Sequence, residues 1–181
     1  MKQSDIDKHA NKPRSEIRRT SNALTNPAEI KVLLKDGAYG VLATAHDGQP
    51  YATPVNYVYL EEDHALYFHG AHIGRTRANI ALNPNVCFNV SEMAALVPRE
   101  RSSNFGVDYR SVTVFGLAEK VTDADKHLAV LLALMIKYFP EHIPGEDYPI
   151  PEPEELSRTA VYRIVIEEWS GKYAEHSSTA T

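Results

Sequence analysis

Residues 55–82 read VNYVYLEEDHALYFHGAHIGRTRANIAL, and the predicted fold depends on this stretch. Its first part predicts two β-strands around an acidic turn at residues 61–64, because aromatic and β-branched residues are enriched in strands. A short loop of Gly and His residues follows. A helix is then expected to start near Gly74, with Arg75 and Arg77 in its first turn. The stretch therefore predicts strand, turn, strand, loop and helix in that order.

The start of this helix is the first functional clue. A helix leaves its first N–H groups unpaired and carries a partial positive charge at that end, so arginines there are mildly unfavourable. A bound phosphate would reverse the sign, because backbone donors, the Thr76 hydroxyl and the guanidinium groups of Arg75 and Arg77 could converge on it. The alternative is that both arginines are solvated surface charges. The small residues just before the helix favour a ligand, because they allow close approach to the backbone.

Length and composition predict one soluble domain. The chain has 181 residues, 43% hydrophobic and 24% charged, and no apolar run approaches the ~20 residues of a membrane span. Its net charge of -5 argues against general binding of nucleic acid, which needs a basic surface. The only cysteine, Cys87, falls in an apolar strand pattern, so we expect a buried thiol. Residues 1–20 lack the apolar core of a signal peptide, and we expect a cytoplasmic protein without a membrane partner.

The rest of the chain predicts further strands with helices at the periphery. The Asp-Gly pair at residues 47–48 predicts a hairpin turn, Pro54 an edge or a bulge, and Gly116 a bulge. Residues 91–108 are predicted as a long loop. The expected strands are residues 39–45, 50–60, 65–69, 86–90, 109–121 and 159–169, and the expected helices are residues 27–36, 74–82 and 123–139. Strands joined mostly by short turns favour an antiparallel barrel over a doubly wound sheet.

The predicted domain organisation has three parts. Residues 1–25 are polar and without periodicity, and are predicted to form a mobile N-terminal arm. Residues 26–172 form the barrel domain, and residues 173–181 form a polar tail.

Other residue patterns point less clearly to chemistry. Asn56 interrupts an apolar strand, and its amide could pair with the polar edge of a heterocycle or satisfy strand backbone. His64, His69 and His72 lie close in sequence, but no cysteine or suitably placed carboxylate completes a ligand set, so no metal site is predicted. The chain has no G-x-S-x-G and no Walker-type glycine loop, which leaves hydrolase interpretations without support.

Several motifs, in this order and spacing, resemble one known family. They are GVLAT at residues 40–44, DGQPYATPVNYVY at 47–59, YFHGAHIGR at 67–75, NPNVCFNV at 83–90 and YRSVTVFGLAEKV at 109–121. Over about residues 14–172 the chain resembles the pyridoxamine 5′-phosphate oxidase-related, FMN-binding split-barrel proteins, most closely the branch that includes nitroimidazole-resistance reductases. The resemblance implies a mainly β, six-stranded antiparallel split β-barrel. It also implies a homodimer with FMN at two sites in the interface.

The resemblance also implies which residues contact the cofactor. They are the ring-contacting strand Pro54, Val55, Asn56 and Tyr57, then Phe68 and His69, the phosphate turn Gly74, Arg75 and Thr76, and the strand residues Arg110 and Ser111. Relatives commonly carry Lys where this chain has Thr76. Arg77, one position further on, could replace the missing charge, although its side chain would point elsewhere on the helix.

The implied activity is that of an FMN-dependent oxidoreductase. A reduced nicotinamide would be the electron donor, and a nitroaromatic or related small molecule the acceptor. His69 is the candidate catalytic residue, as a proton donor. Two alternatives remain open on the same barrel: a flavin- or haem-binding module without turnover, and a reductase that uses a deazaflavin.

Overall fold

A computed structural model of the chain describes residues 3–176. The strands are β1 Ala23–Leu24, β2 Gly40–His46, β3 Gln49–Val55, β4 Tyr57–Leu60, β5 Ala65–Gly70, β6 Asn85–Val97, β7 Gly106–Lys120 and β8 Ala160–Ala174. The α-helices are α1 Gln3–Ala10, α2 Pro27–Asp36, α3 Arg75–Leu82, α4 Ala124–Tyr138 and α5 Pro153–Leu156. Short 3-10 helices lie at Thr20–Asn22 and Ser102–Asn104.

The strands form one antiparallel sheet that closes on itself. Their hydrogen-bonded order is β3-β2-β6-β7-β8-β5-β4, with β1 beside β8. The two ends of this order are β3 and β4, yet only Asn56 separates them along the chain. Because consecutive Cα atoms are about 3.8 Å apart, the two ends of the sheet must meet at Asn56. The predicted mainly β antiparallel split barrel is therefore confirmed.

The strand count differs from the expected six, because the sheet has eight strands. The predicted strand at residues 50–60 is divided at Asn56, where the chain passes from one end of the sheet to the other. The other addition is β1, which lies within the predicted arm and pairs with β8 through Ala23 and Lys172. A two-residue strand carries no alternation that a sequence pattern could reveal.

The long loop predicted at residues 91–108 is wrong at both of its ends. The β6 strand continues to Val97, and β7 already begins at Gly106. Met93 and Leu96, in this extension, are 70% and 71% exposed, and the pairing with β7 shifts register between them. The alternation of buried and exposed residues is lost there, so no strand was predicted.

The N-terminal arm contains more regular structure than its sequence indicates. Besides β1 it forms the helix α1, and Arg14 pairs with Glu167 and Glu168 of β8 at 2.7 and 2.9 Å. Mobility of the arm stays a prediction. The β8 strand ends at Ala174, two residues beyond the predicted domain boundary, and residues 177–181 of the predicted polar tail lie outside the described residues.

Local signals explain the elements that were predicted well. Asn26 caps α2 by accepting a hydrogen bond from the Ala28 N–H at 3.0 Å. The β2–β3 hairpin turns through Asp47 and Gly48, whose φ angles are 50° and 72°, as its Asp-Gly pair predicts. The bulge predicted at Gly116 is confirmed, and a Cβ at this position would lie 2.0 Å from the Val165 carbonyl oxygen.

The apolar core has two parts. The larger part fills the barrel and includes Leu42, Tyr57 and Phe88, whereas a smaller part joins Val58 and Tyr67 to α4. Hydrophobic side chains also remain on the surface of α4, where Ile136 is 55% exposed. Within residues 3–176, none of the helices combines the length and the apolar character needed to cross a membrane.

Candidate functional site

The start of α3 presents unpaired donors. The helix runs from Arg75 to Leu82, its N-cap is Gly74, and it has neither a capping side chain nor an acidic residue in its first turn. Its first helical hydrogen bond runs from the Ala78 N–H to the Gly74 carbonyl, so the N–H groups of Arg75, Thr76 and Arg77 have no helical partner. Gly74 has a φ of 128° and a ψ of 171°, a conformation restricted almost entirely to glycine. The N-terminus of α3 therefore offers free backbone N–H groups that could bind an anion.

A cavity of about 240 Å³, which we name the α3 cavity, opens beside this helix start. It lies between strands β3 and β5, the loop that follows β5, and the first turn of α3. It is lined by Tyr51, Thr53, Val55, Phe68, His69, Gly70, Ala71, Ile73, Gly74, Arg75, Thr76, Arg77 and Tyr162. The structure therefore brings together six of the predicted site residues, namely Val55, Phe68, His69, Gly74, Arg75 and Thr76.

The two arginines of α3 play different roles. Arg75 is exposed, its guanidinium carbon lies 5.8 Å from the centre of the Tyr51 ring, and no carboxylate among residues 3–176 pairs with it. Arg77 is half-buried and donates from Nη1 to the carbonyl oxygen of His72, which ties the loop back to the helix. Arg75 is thus the cation available to an anion, whereas Arg77 is already engaged.

Tyr162 on β8 is a cavity residue that the sequence analysis missed. It is 3% exposed, and its hydroxyl has no hydrogen-bond partner in the described part of the chain. Its ring stacks on Phe68, with centroids 5.2 Å apart and planes inclined by 14°. Burial raises the pKa of Tyr162, and the nearby charge of Arg77 opposes this effect only in part. Tyr162 thus adds an aromatic ring to the cavity wall and a buried, protonated hydroxyl without a partner among the described residues.

Two more missed residues follow from strand alternation. Side chains two apart on a strand share a face, so Tyr51, Thr53 and Val55 all line the α3 cavity. Pro54 and Asn56 instead line an open cleft of about 770 Å³ with Tyr39 and Tyr138, and only Val55 borders both spaces. Of the four consecutive residues that the resemblance implies as contacts, Val55 alone lines the α3 cavity. Because side chains alternate along a strand, Val55 as a contact would have predicted Tyr51 and Thr53 on the same face.

The structure places the side chain of Tyr57 away from the α3 cavity. Its side chain is fully buried, and its ring meets Phe88 edge-on at a centroid distance of 5.0 Å. The Tyr57 N–H donates to the Tyr138 hydroxyl at 3.0 Å. The residue lines neither cavity wall, so its ring belongs to the barrel core.

Arg110 and Ser111 do not join the α3 cavity within one chain. Arg110 lies opposite Tyr173 on β8, whereas His69 lies opposite Val161, twelve positions away along the same strand. At about 3.3 Å per residue this separation is roughly 40 Å, further than a mononucleotide reaches. Arg110 donates from Nη2 to Glu92 at 3.1 Å, so its charge is compensated.

The remaining candidate groups are the metal-ligating side chains and Cys87. Among residues 3–176, no group of three or more His, Cys, Asp or Glu side chains is placed to hold a metal ion. Cys87 is half-buried on β6, and burial raises the pKa of its thiol, which disfavours the reactive thiolate.

Solved structures with this architecture come from several bacteria. The FAD and haem binding protein from Mycobacterium smegmatis superposes with a TM-score of 0.74 and 25% identity, over 85% of this chain and 74% of that one. The flavocytochrome Anf3 from Azotobacter vinelandii gives 0.74 and 26%, over 91% and 75%. A candidate 5-nitroimidazole antibiotic resistance protein from Bacteroides thetaiotaomicron gives 0.69 and 20%, over 83% and 86%, and shows the fold alone.

A comparison with curated proteins found no match. The family model for pyridoxamine 5′-phosphate oxidase, by contrast, matches residues 26–173, which span the barrel from α2 to the end of β8. Because this match covers most of the sequence, the chain belongs to the pyridoxamine 5′-phosphate oxidase family.

Proposed function

We propose that this protein is a flavin-dependent oxidoreductase that binds FMN at the α3 cavity, in a homodimer whose second subunit completes the site. The observation that carries the proposal is the α3 cavity itself, where an uncompensated Arg75 and unpaired helix amides lie beside the aromatic wall of Phe68 and Tyr162. Support also comes from two similar structures, which are described as an FAD and haem binding protein and as a flavocytochrome.

The residues present suit a planar ring with a phosphate tail. Arg75 and the amides of the first helical turn offer donors to a phosphate. An added Cβ at Gly70 or Gly74 would meet no atom within 4 Å, so the backbone there borders open space. The buried Tyr162 hydroxyl lacks a partner among the residues described, and a ligand oxygen would supply one. Thr76, in place of the family's usual lysine, leaves Arg75 as the main charge for the phosphate.

The size of the cavity and the position of Arg110 support the proposed second subunit. The α3 cavity has about 240 Å³, below the roughly 300–1,000 Å³ of ligand pockets in general. Arg110 and Ser111 could reach a shared cofactor only from another chain. Near Arg110, the end of β6 and the segment before β7 expose Met93, Leu96 and Phe105, which are 70%, 71% and 58% accessible. Such an apolar surface is typical of a protein interface.

The chemistry of the reaction would come from the cofactor: a bound flavin supplies hydride and electron transfer. The protein's part is positioning. Val55 and Phe68 present an apolar wall that excludes water from one side of the cavity. His69 is exposed at the same wall, where its imidazole can hold a proton for the substrate. We propose a reduced nicotinamide as donor, a nitroaromatic or related small molecule as acceptor, and a cytoplasmic location.

The test is the absorption spectrum of the purified protein, followed by mass identification of the released chromophore. The proposal predicts flavin bands, a mass equal to FMN, and bleaching by reduced nicotinamide with recovery when a nitroaromatic acceptor is added. Dithionite serves as the control for chemical reducibility. A colourless protein that takes up neither FMN nor FAD would contradict the proposal. If the released chromophore had the mass of a deazaflavin, the cofactor would be a deazaflavin and not FMN.

A haem-binding module is the second candidate. It is favoured by the exposed imidazole of His69 at the cavity wall, because a neutral imidazole is a common haem iron ligand. Titration with haem should then give a ligated-haem spectrum that His69→Ala abolishes. Haem binding without steady-state oxidation of any reductant would favour this candidate over the oxidoreductase.

A further inference from the structure

A second cavity lies on the opposite side of the loop that precedes α3. It has about 360 Å³, and we name it the histidine cavity. Its lining consists of His72, Lys120, Val121, Thr122, Ala124, His127, Pro153, Leu156, Ser157 and Thr159. Ala71 and Ile73 line the α3 cavity, whereas His72 between them lines this one. An occupant of one cavity therefore does not fill the other.

The polar side chains of the histidine cavity are either basic or neutral. Three basic side chains, His72, Lys120 and His127, line it together with hydroxyl groups from Thr122, Ser157 and Thr159. No acidic side chain belongs to this lining. Lys120 forms no ion pair with a described carboxylate. The lining thus carries a positive charge at Lys120 and no negative charge.

The two histidines of the cavity differ in their hydrogen bonds. Nε2 of His127 is buried and has no hydrogen-bond partner within residues 3–176. Burial lowers the pKa of His127, and the charges of Lys120 and His72 lower it further. His72 lies 2.7 Å from the Ser157 carbonyl oxygen through Nε2. A carbonyl only accepts, so Nε2 of His72 donates here and Nδ1 of the neutral ring is an acceptor, which leaves Lys120 and His127 to face an anion.

We propose that the histidine cavity binds a small organic anion, with a phosphate or carboxylate head held by Lys120 and His127 and an apolar body against Val121, Pro153 and Leu156. A cavity of about 360 Å³ is within the roughly 300–1,000 Å³ that ligand pockets occupy. A metal ion is the weaker occupant, because Lys120 repels a cation and no described cluster of three metal-ligating side chains exists. The site does not depend on the proposed flavin function.

The experiment is an NMR titration of the full chain that follows the imidazole resonances. The probes are phenyl phosphate and benzoate, with benzyl alcohol as the neutral control. We expect saturable shifts of the His72 and His127 resonances with at least one of the two anions and none with the alcohol. The anion that binds more tightly identifies the head group.

Variants locate the binding. Lys120→Gln and His127→Gln should each weaken the binding of that anion by roughly tenfold or more, as expected for a hydrogen bond to a charged group. His46→Gln, at an exposed position that lines none of these cavities, is the matched control and should not change it. No saturable shift with either anion, or equal affinity in the wild type and both cavity variants, would overturn the proposal. Flavin binding is read separately by absorbance, so the two proposals fail independently.

Discussion

Arg75 and Arg110 lie at opposite ends of the barrel, and their surroundings differ in one respect. Arg110 pairs with Glu92 at 3.1 Å, whereas Arg75 contacts an aromatic ring and has no carboxylate partner among the residues described. An arginine beside unpaired helix amides adds to the local positive charge, which lowers the stability of the free protein and raises its affinity for an anion. The position of uncompensated charge is therefore a better guide to the site than the number of arginines.

The largest expected effect tests the Arg75 end of the barrel. Arg75→Ala should weaken FMN binding by ~1.5–3 kcal/mol, because it removes a charged hydrogen bond to the phosphate. Titration of the unliganded protein, followed by flavin fluorescence, measures the change. Arg18→Ala, at an exposed arginine of the N-terminal arm, is the control and should bind as the wild type does. Equal affinity in Arg75→Ala and Arg18→Ala would remove Arg75 from the site.

The next prediction concerns Arg75 and Arg110 together. If Arg75 and Arg110 serve one cofactor from different subunits, Arg75→Ala and Arg110→Ala should each weaken FMN binding in homodimers. Mixed dimers of the two variants should regain one intact site, because one of their two sites contains both arginines. Flavin stoichiometry after unfolding and refolding of the mixture measures this. Mixed dimers that bind no better than their parents would show that the arginines do not share a site.

A smaller effect is expected at Tyr162, between β8 and the α3 cavity. Tyr162→Phe should weaken FMN binding by about 1 kcal/mol, the value of one neutral hydrogen bond. It should leave the stability of the flavin-free protein unchanged or slightly higher, because the buried hydroxyl has no partner there among the described residues. Thermal unfolding with and without FMN separates these effects. An equal loss of stability in both states would give the hydroxyl a purely structural role.

The smallest effect concerns Lys137, a cation without an acceptor that lies inside the protein. Its Nζ is buried, lies 3.8 Å from the centre of the Tyr57 ring and has no hydrogen-bond partner in the described structure. Loss of hydration lowers the pKa of Lys137 to about 8, and the charge of Asp36 opposes this effect only in part. The ring centres of Tyr57 and Tyr138 lie 3.8 and 5.4 Å from the ammonium nitrogen.

The sign of the pH effect follows from linkage. The folded state binds this proton more weakly than the unfolded chain, so stability should rise with pH from about 8 towards the unfolded value of about 10.4. Below that range the charge is a cost. Lys137→Met should increase the free energy of unfolding at neutral pH by on the order of 1 kcal/mol, discounted because the side chain is only half-buried. The Lys137→Met variant should also show a smaller increase of stability with pH in this range. Denaturant titrations at neutral and alkaline pH measure both effects, and lower stability of the variant at neutral pH would contradict them.

The sequence predicted the fold well where side chains alternate between a core and solvent. β2 alternates in this way and follows its pattern closely. β5, whose first four residues are all buried, was located as an apolar run, the α3 start follows the Gly and His loop, and the Asp47-Gly48 turn sets the first hairpin. Prediction failed where neither face is buried, as in the extension of β6 near Met93, because exposed apolar residues break the alternation. It also failed at Asn56, because the closure of the sheet is a long-range property that no local pattern contains.

The candidate site was predicted in part for the same reasons. The helix start at Gly74 was identified from local chemistry, and the structure places Arg75 and Thr76 on the cavity wall. Tyr162 was missed because it enters the cavity from β8, far along the chain, by stacking on Phe68. The side chain of Tyr57 lies outside the cavity, in the barrel core, which the position of this residue along the chain did not reveal.

The most direct test of the proposed site is a crystal structure of the protein loaded with FMN. The account predicts the phosphate within hydrogen-bond distance of the Arg75 guanidinium and the first amides of α3, with the ring against Val55 and Phe68 and Arg110 of the partner subunit nearby. A flavin bound elsewhere, or Arg75 facing open water in the loaded dimer, would contradict it.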